Sequence, residues 1–143
     1  KEQLRKEIEL VCRFSHPNIV SYRGRAQMRT MGPGYLLELC KQGSLQQLLQ
    51  ASACLDEITA ACFTSDILLG VAHLHRHRVI HRDIRPENLL LHSGRVKIGD
   101  LGSAIFCDSR DKAIVPGMAA HSAPEVITGN YGRKVDISSV GCV

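Results

Sequence analysis

The sequence predicts an α+β fold. Three observations carry that expectation: apolar residues recurring at helical spacing through 57–77, a strand pair at 89–91 and 95–98 in which Val96-Lys97-Ile98 alternates, and strand-like stretches at 19–22 and 34–39. The chain has 143 residues, the length of one ordinary domain, and it shows no internal repeat and no low-complexity tract.

Residues 1–14 read as an amphipathic helix, with Leu4, Ile8, Val11 and Phe14 on one face and Glu2, Arg5, Lys6 and Glu9 between them. His16-Pro17-Asn18 stops it, because proline disfavours helical backbone in the residue before it. Ile19-Val20-Ser21-Tyr22 and Gly34–Leu39 then read as strands, with Met31-Gly32-Pro33-Gly34 as a turn signal between them. Ser44 is a candidate N-cap for a short helix with Leu45, Leu48 and Leu49 as its stripe. Asp56 is the candidate cap of a long helix in which Ile58, Cys62, Ile67, Leu68, Val71 and Leu74 recur near helical period. A loop at 81–88 follows, then a hairpin turning at His92-Ser93-Gly94, then a loop-rich segment to 125.

Composition narrows the function classes. A hydrophobic fraction of 44% supports a packed core, although aromatics are only 4% and tryptophan is absent. No uninterrupted run of eighteen apolar residues exists, which predicts no membrane segment. The formal charge of +4 is modest, no Lys/Arg run is dense, and aromatics for stacking are few, so no nucleic-acid partner is expected. The six cysteines contain no C-x-x-C pair, which predicts reduced thiols in a cytoplasmic protein. His73 and His77 share a helix face, a spacing that can bind zinc, but no carboxylate accompanies them before Asp83. The chain begins with Lys1 and a charged stretch, from which we expect a start inside a longer polypeptide and no signal sequence.

The chemistry concentrates in His81-Arg82-Asp83-Ile84-Arg85-Pro86-Glu87-Asn88. An H-R-D-x-x-x-x-N pattern sets a carboxylate near a hydroxyl to be phosphorylated and an amide near a metal ion. Seventeen residues after Asp83 comes Asp100-Leu101-Gly102, and further on Ala123-Pro124-Glu125. In order and spacing these resemble the D-F-G and A-P-E motifs that bound a kinase activation segment, with Leu in place of Phe. The chain is thus identified as resembling the eukaryotic protein kinases, over nearly all its residues.

That resemblance implies a two-lobed kinase fold that is incomplete, lacking the first strands of the small lobe and the last helices of the large one. Residues 1–37 would be the remnant of the small lobe, 38–43 the hinge and 44–143 part of the large lobe. It implies ATP and Mg²⁺ as cofactors and a protein hydroxyl as acceptor. Asp83 would be the catalytic base, and Asn88 and Asp100 the Mg²⁺ ligands. Arg85 stands where serine/threonine kinases usually carry a phosphate-neutralising Lys, and its planar fork is not a Lys equivalent. Glu38 and Cys40 would hold adenine through the hinge backbone, with Leu37 as the gatekeeper and Leu90 lining the nucleotide site. Glu7 would pair with a Lys upstream of residue 1.

Further likenesses are Arg82 as the dock for a phosphorylated activation loop, Ser109 as a candidate phosphosite, and Asp136 opening a central helix with Ser138 in the usual place of Trp. Val11, Tyr22, Leu101 and His81 would form a column of side chains through both lobes, anchored by Asp136. Met118 stands where a Thr hydroxyl is usual, and the Arg expected to pair with Glu125 would lie beyond residue 143. Pro86-Glu87 favours the serine/threonine branch, and the 7–20 stretch with Gly43-Ser44-Leu45 looks most like MAP kinase kinase kinases. The expected function is a serine/threonine kinase in intracellular signalling. The alternative is a pseudokinase or scaffold that binds a regulatory protein partner with little phosphate transfer.

Overall fold

A computed structural model of the chain describes residues 15–28, 32–52, 54–106 and 132–143. The helix expected at 1–14, with Glu7 and Val11, lies outside the described residues, as do Ser109, Met118 and Ala123-Pro124-Glu125. The described part is the expected mixture of helices and antiparallel strand pairs.

Strands β1 (Tyr22–Met28) and β2 (Gly32–Leu37) pair antiparallel, Tyr22 opposite Leu37. This corrects the first strand, which begins where 19–22 ends. Ile19 and Val20 are buried and pair elsewhere: Val20 N donates to Ile98 O at 2.9 Å and Ile98 N to Asn18 O at 2.9 Å. The strand itself alternates exposed Arg23, Arg25 and Gln27 with half-buried Gly24 and Ala26, an apolar face too thin to register as a pattern.

Helix α1 (Leu45–Ala51) starts at Ser44, whose Oγ accepts from Gln47 N while the Gln47 side chain accepts from Ser44 N, a complete capping box. Helix α2 (Glu57–Arg76) is capped by Asp56, which accepts from Thr59 N at 2.9 Å and from Thr59 Oγ1 at 2.6 Å. Both caps are as the sequence predicts.

The hairpin pairs β4 (Leu89–His92) with β5 (Arg95–Ile98), and Ser93 and Gly94 both take positive φ (52° and 73°). Two consecutive left-handed residues form the two-residue turn that matches the twist of the strands. Each of β3 (Val79–Ile80) and β6 (Ile105–Phe106) has two residues, and they pair antiparallel. Helix α3 spans Lys134–Gly141.

The core lies where α2 covers the hairpin. Ile67, Val71, Leu89, Val96 and Ile98 are buried together with Leu45 and Ile84. A second cluster joins Ile19, Leu74, Val79 and Leu101, with Tyr22 against it. Gly70 brings α2 close: a Cβ there would stand 2.8 Å from Asn18 O and 2.8 Å from Ile98 Cδ1. Asp66 is a buried carboxylate within α2, accepting from Val96 N at 3.0 Å and paired with Arg95 at 2.8 Å. By length and apolarity alone α2 would suffice to cross a membrane, a property its interspersed polar residues hide from a search for an unbroken run. Here its Ile67, Val71 and Leu74 side is the middle of a protein core.

Three imidazoles join the 15–20 segment to the end of α2. The His16 and His73 rings lie 4.7 Å apart and those of His73 and His77 4.5 Å apart, both tilted. Their rings stack instead of converging on a point, and among the described residues no group of three or more His, Cys, Asp or Glu forms a metal site. Burial holds His16 and His73 below the ordinary imidazole value, with Arg76 and Lys97 adding for His16, and His16, His77 and Arg76 for His73. Just below the ordinary value of about 6.5 the unfolded chain therefore binds more protons than the folded one, and stability falls as pH drops. A melting series from about pH 7.5 to 5 should show this slope, and His73→Gln should flatten it. An unchanged slope in that variant would remove the column from the account.

Candidate catalytic site

The 81–88 loop is shaped by one carboxylate. Asp136, fully buried in the first turn of α3, accepts from His81 N at 2.9 Å and Arg82 N at 2.8 Å. His75 Nε2, from α2, meets the same carboxylate at 2.7 Å. Arg82 has φ 68°, a left-handed conformation that disfavours any residue with a Cβ. The two N–H bonds to Asp136 hold the backbone there.

His81 is buried and faces the other way. Asp83 N donates to its Nδ1 at 3.2 Å and its Nε2 meets Gly99 O at 3.0 Å, a pair of bonds satisfied by the tautomer with hydrogen on Nε2. Gly99 N in turn donates to Asn88 O at 2.8 Å. Both ends of the loop are thereby tied to the residue before Asp100. Arg82 Nε adds a third tie, donating to Ser103 O at 2.6 Å.

The expected base, Asp83, and one expected Mg²⁺ ligand, Asn88, are bonded on this frame, which is tied to Gly99, the residue before the other ligand, Asp100. Asp83 and Asn88 are half-buried, and Asp100 is exposed. Asn88 Nδ2 donates to Asp83 O at 2.9 Å and to Asp83 Oδ2 at 2.8 Å, which turns its Oδ1 over to another ligand. Asp100 sits at φ 52° and its Oδ1 accepts from Gly102 N at 3.1 Å, leaving Oδ2 to a ligand. An amide oxygen and a carboxylate oxygen are hard donors, suited to Mg²⁺ held by few protein groups and completed by phosphate. Arg85 is turned onto Glu87 as a fork, Nε to Oε2 at 2.9 Å and Nη2 to Oε1 at 2.7 Å. The pair is partly exposed, so it contributes about 0–1 kcal/mol.

The 38–43 connection stands beside this set. Glu38 N donates to Ser21 O at 2.8 Å, whereas neither the Glu38 carbonyl nor the Cys40 N–H is engaged by a described residue. One acceptor and one donor on a half-buried strand end suit the edge of a purine. Leu90 is half-buried on β4, with its side chain 3.4 Å from where a Gly99 Cβ would stand. A small, largely apolar cleft of about 10 Å³ lies between Ile19, Val20, Leu37, Ile98 and the 99–101 segment. The hard oxygens of Asn88 and Asp100 are of the donor type that Mg²⁺ takes.

Two contributors escaped the sequence. Strand alternation puts Lys97 on the face opposite Val96 and Ile98, yet it is 8% exposed and its Nζ lies 3.0 Å from Glu38 Oε2. Burial raises the Glu38 carboxyl, but hydrogen bonds from Lys97 and Ser21 N outweigh it and hold the group below the ordinary carboxylate value. The same burial, with the Glu38 charge behind it, pushes the Cys40 thiol up and leaves it a poor nucleophile. His75 is the other, since nothing local marks it as a partner of a residue 61 positions away.

The frame joins a carboxylate–amide pair, held under the buried Asp136, to a second carboxylate at the strand end. A family model described as "Protein kinase domain" matches residues 1–143. The chain belongs to the eukaryotic protein kinase family, and by family it is a serine/threonine kinase catalytic domain with part of the two-lobed fold. It is 33% identical over 159 residues to MAP kinase kinase kinase wis4 of Schizosaccharomyces pombe, covering 99% of this chain and 11% of that protein. It is 36% identical over 148 residues to serine/threonine-protein kinase Nek3 of Mus musculus, covering 97% of this chain and 28% of that protein. It is 38% identical over 142 residues to serine/threonine-protein kinase TAO1-A of Xenopus laevis, covering 95% of this chain and 14% of that protein. The chain thus spans under a third of each relative, and the relatives spread across three kinase groups, so the likeness is not confined to MAP kinase kinase kinases.

Proposed function

We propose that the protein containing residues 1–143 transfers the γ-phosphate of ATP to a serine or threonine hydroxyl of a protein substrate, in a MAP kinase cascade-like signalling pathway in the cytoplasm. The observation that carries this reading is the Asp83–Asn88 pair, bonded at 2.8 Å and tied through Gly99 to Asp100. Asp83 accepts the proton of the attacking hydroxyl, and Asn88 keeps its carboxylate aimed. Asn88 and Asp100 would hold Mg²⁺, which when bound would neutralise phosphate charge. Arg85 leaves Glu87 to meet the transferred phosphate. The Glu38 carbonyl and Cys40 N–H take the adenine edge, Leu90 lies against the base, and Glu7 serves the Lys that holds the phosphates. In this reading 1–37 is small lobe, 38–43 hinge and 44–143 large lobe.

A second reading rests on Arg85. With its fork closed on Glu87 and Met118 in place of a hydroxyl, the chain binds a regulatory protein partner and transfers little phosphate, as a pseudokinase does. The full-length protein incubated with labelled ATP, Mg²⁺ and a general protein acceptor separates the two. We expect label on serine or threonine, dependent on Mg²⁺. Nucleotide binding without label would favour the pseudokinase, and the absence of nucleotide binding would sink the kinase reading.

A further inference from the structure

Lys97 is the one residue of β5 whose burial works against simple solvation. A lysine ammonium withdrawn from water is costly unless a charge and further hydrogen bonds replace the water. Glu38 supplies the charge at 3.0 Å. Its carboxylate is itself enclosed, accepting from Ser21 N at 3.2 Å through Oε2, with His92 Nε2 3.7 Å from Oε1. Four segments meet at this carboxylate: the start of β1, the 38–43 connection, β4 and β5.

The position matters more than the pair. Glu38 opens the connection whose backbone presents the open carbonyl and the Cys40 N–H. Lys97 stands three residues before Asp100 on a strand held on both sides, by β4 and by the 18–20 segment. The ion pair is therefore a strut between the place for a purine and the place for a metal-bound phosphate. We propose that Lys97 is a positioning residue that sets the adenine-binding backbone at a fixed distance from Asp100. It touches no substrate and acts through Glu38. The role rests on the kinase reading above, and it predicts that adenine recognition, separately from phosphate recognition, depends on Lys97.

Full-length wild type, Lys97→Met, Lys97→Arg, Glu38→Gln and the Lys97→Met/Glu38→Gln double variant are compared by calorimetry with Mg·ATP and with Mg·tripolyphosphate, which lacks the base. Lys97→Met is expected to weaken ATP by about tenfold, within the range of couplings between residues in contact, and to leave tripolyphosphate unchanged. Lys97→Arg should restore most of the loss. Glu38→Gln and the double variant should each lose about as much as Lys97→Met alone, because one strut is broken once. In turnover the loss should fall on the KM for ATP and spare kcat. Equal weakening of both ligands, additive losses in the double variant, or unchanged ATP binding would each overturn the role. The double variant, which carries no unpaired buried charge, keeps the question answerable where Lys97→Met folds poorly. A wild type that binds neither ligand would overturn the role together with the kinase reading. A wild type that binds ATP, beside an unaffected Lys97→Met, would overturn the role alone.

Discussion

Asp83→Asn in the full-length protein is expected to lower the rate of phosphate transfer by about a hundred- to ten-thousand-fold, the usual weight of a positioned general base. Nucleotide affinity should change little, because the substitution leaves the Asn88 and Asp100 oxygens in place. The backbone is also unaffected: Asp83 N donates to His81 Nδ1 at 3.2 Å whatever the side chain is. The introduced amide is nearly the shape of the carboxylate and still offers an oxygen to Asn88 Nδ2, which now bonds to Asp83 Oδ2 at 2.8 Å. What it cannot do is accept a proton at neutral pH. Stopped-time assays with labelled ATP, beside calorimetric nucleotide binding, separate the two effects. A rate equal to wild type would mean that Asp83 is no base and that the loop serves another purpose.

Asp136→Ala should lower stability by about 3–5 kcal/mol. The carboxylate is fully buried and gathers three donors: His81 N, Arg82 N and His75 Nε2. Alanine leaves two backbone N–H groups without acceptors inside the protein, and each such orphan costs about 1–3 kcal/mol. It also frees the left-handed backbone of Arg82 at φ 68° to relax toward commoner conformations. Asp136→Asn should cost less, since one oxygen survives to accept. Urea unfolding gives the free energies directly, with the midpoint moving and the slope unchanged. A loss below about 1 kcal/mol for Asp136→Ala would mean that the loop holds its shape by its own contacts. Phosphate transfer should fall with stability, because the loop that loses its anchor carries Asp83.

Much of this architecture was legible because its signals are local. The caps at Ser44 and Asp56 are matters of three residues, and both are found as expected. The hairpin is legible from a short apolar run and an alternating run flanking a Ser-Gly turn. What escaped was set by distant partners. Ile19 and Val20 look like a strand that continues into Tyr22, yet they bond to β5, about 80 residues onward in the chain. β3 and β6 are two residues each, too short for any periodicity. The candidate site divides in the same way. Asp83, Asn88 and Asp100 are named by the motifs that contain them, and Asp136 by resemblance to relatives. Lys97 reads as an ordinary outward residue of an alternating strand, and only the fold brings Glu38 to it.

The buried carboxylate of Asp66 has a consequence for how this molecule reaches its working form. It accepts from Val96 N at 3.0 Å, so α2 reads the identity of one particular backbone N–H in β5. A hairpin closed one residue out of step would turn Val96 and Ile98 to the opposite face and carry Asp100 about 3.3 Å along the strand, away from Asn88. Such a misclosed chain would present the wrong donor to Asp66 and leave that charge unmet in the core. The bond between Asp66 and Val96 N is thus satisfied in the same hairpin register that sets the position of Asp100.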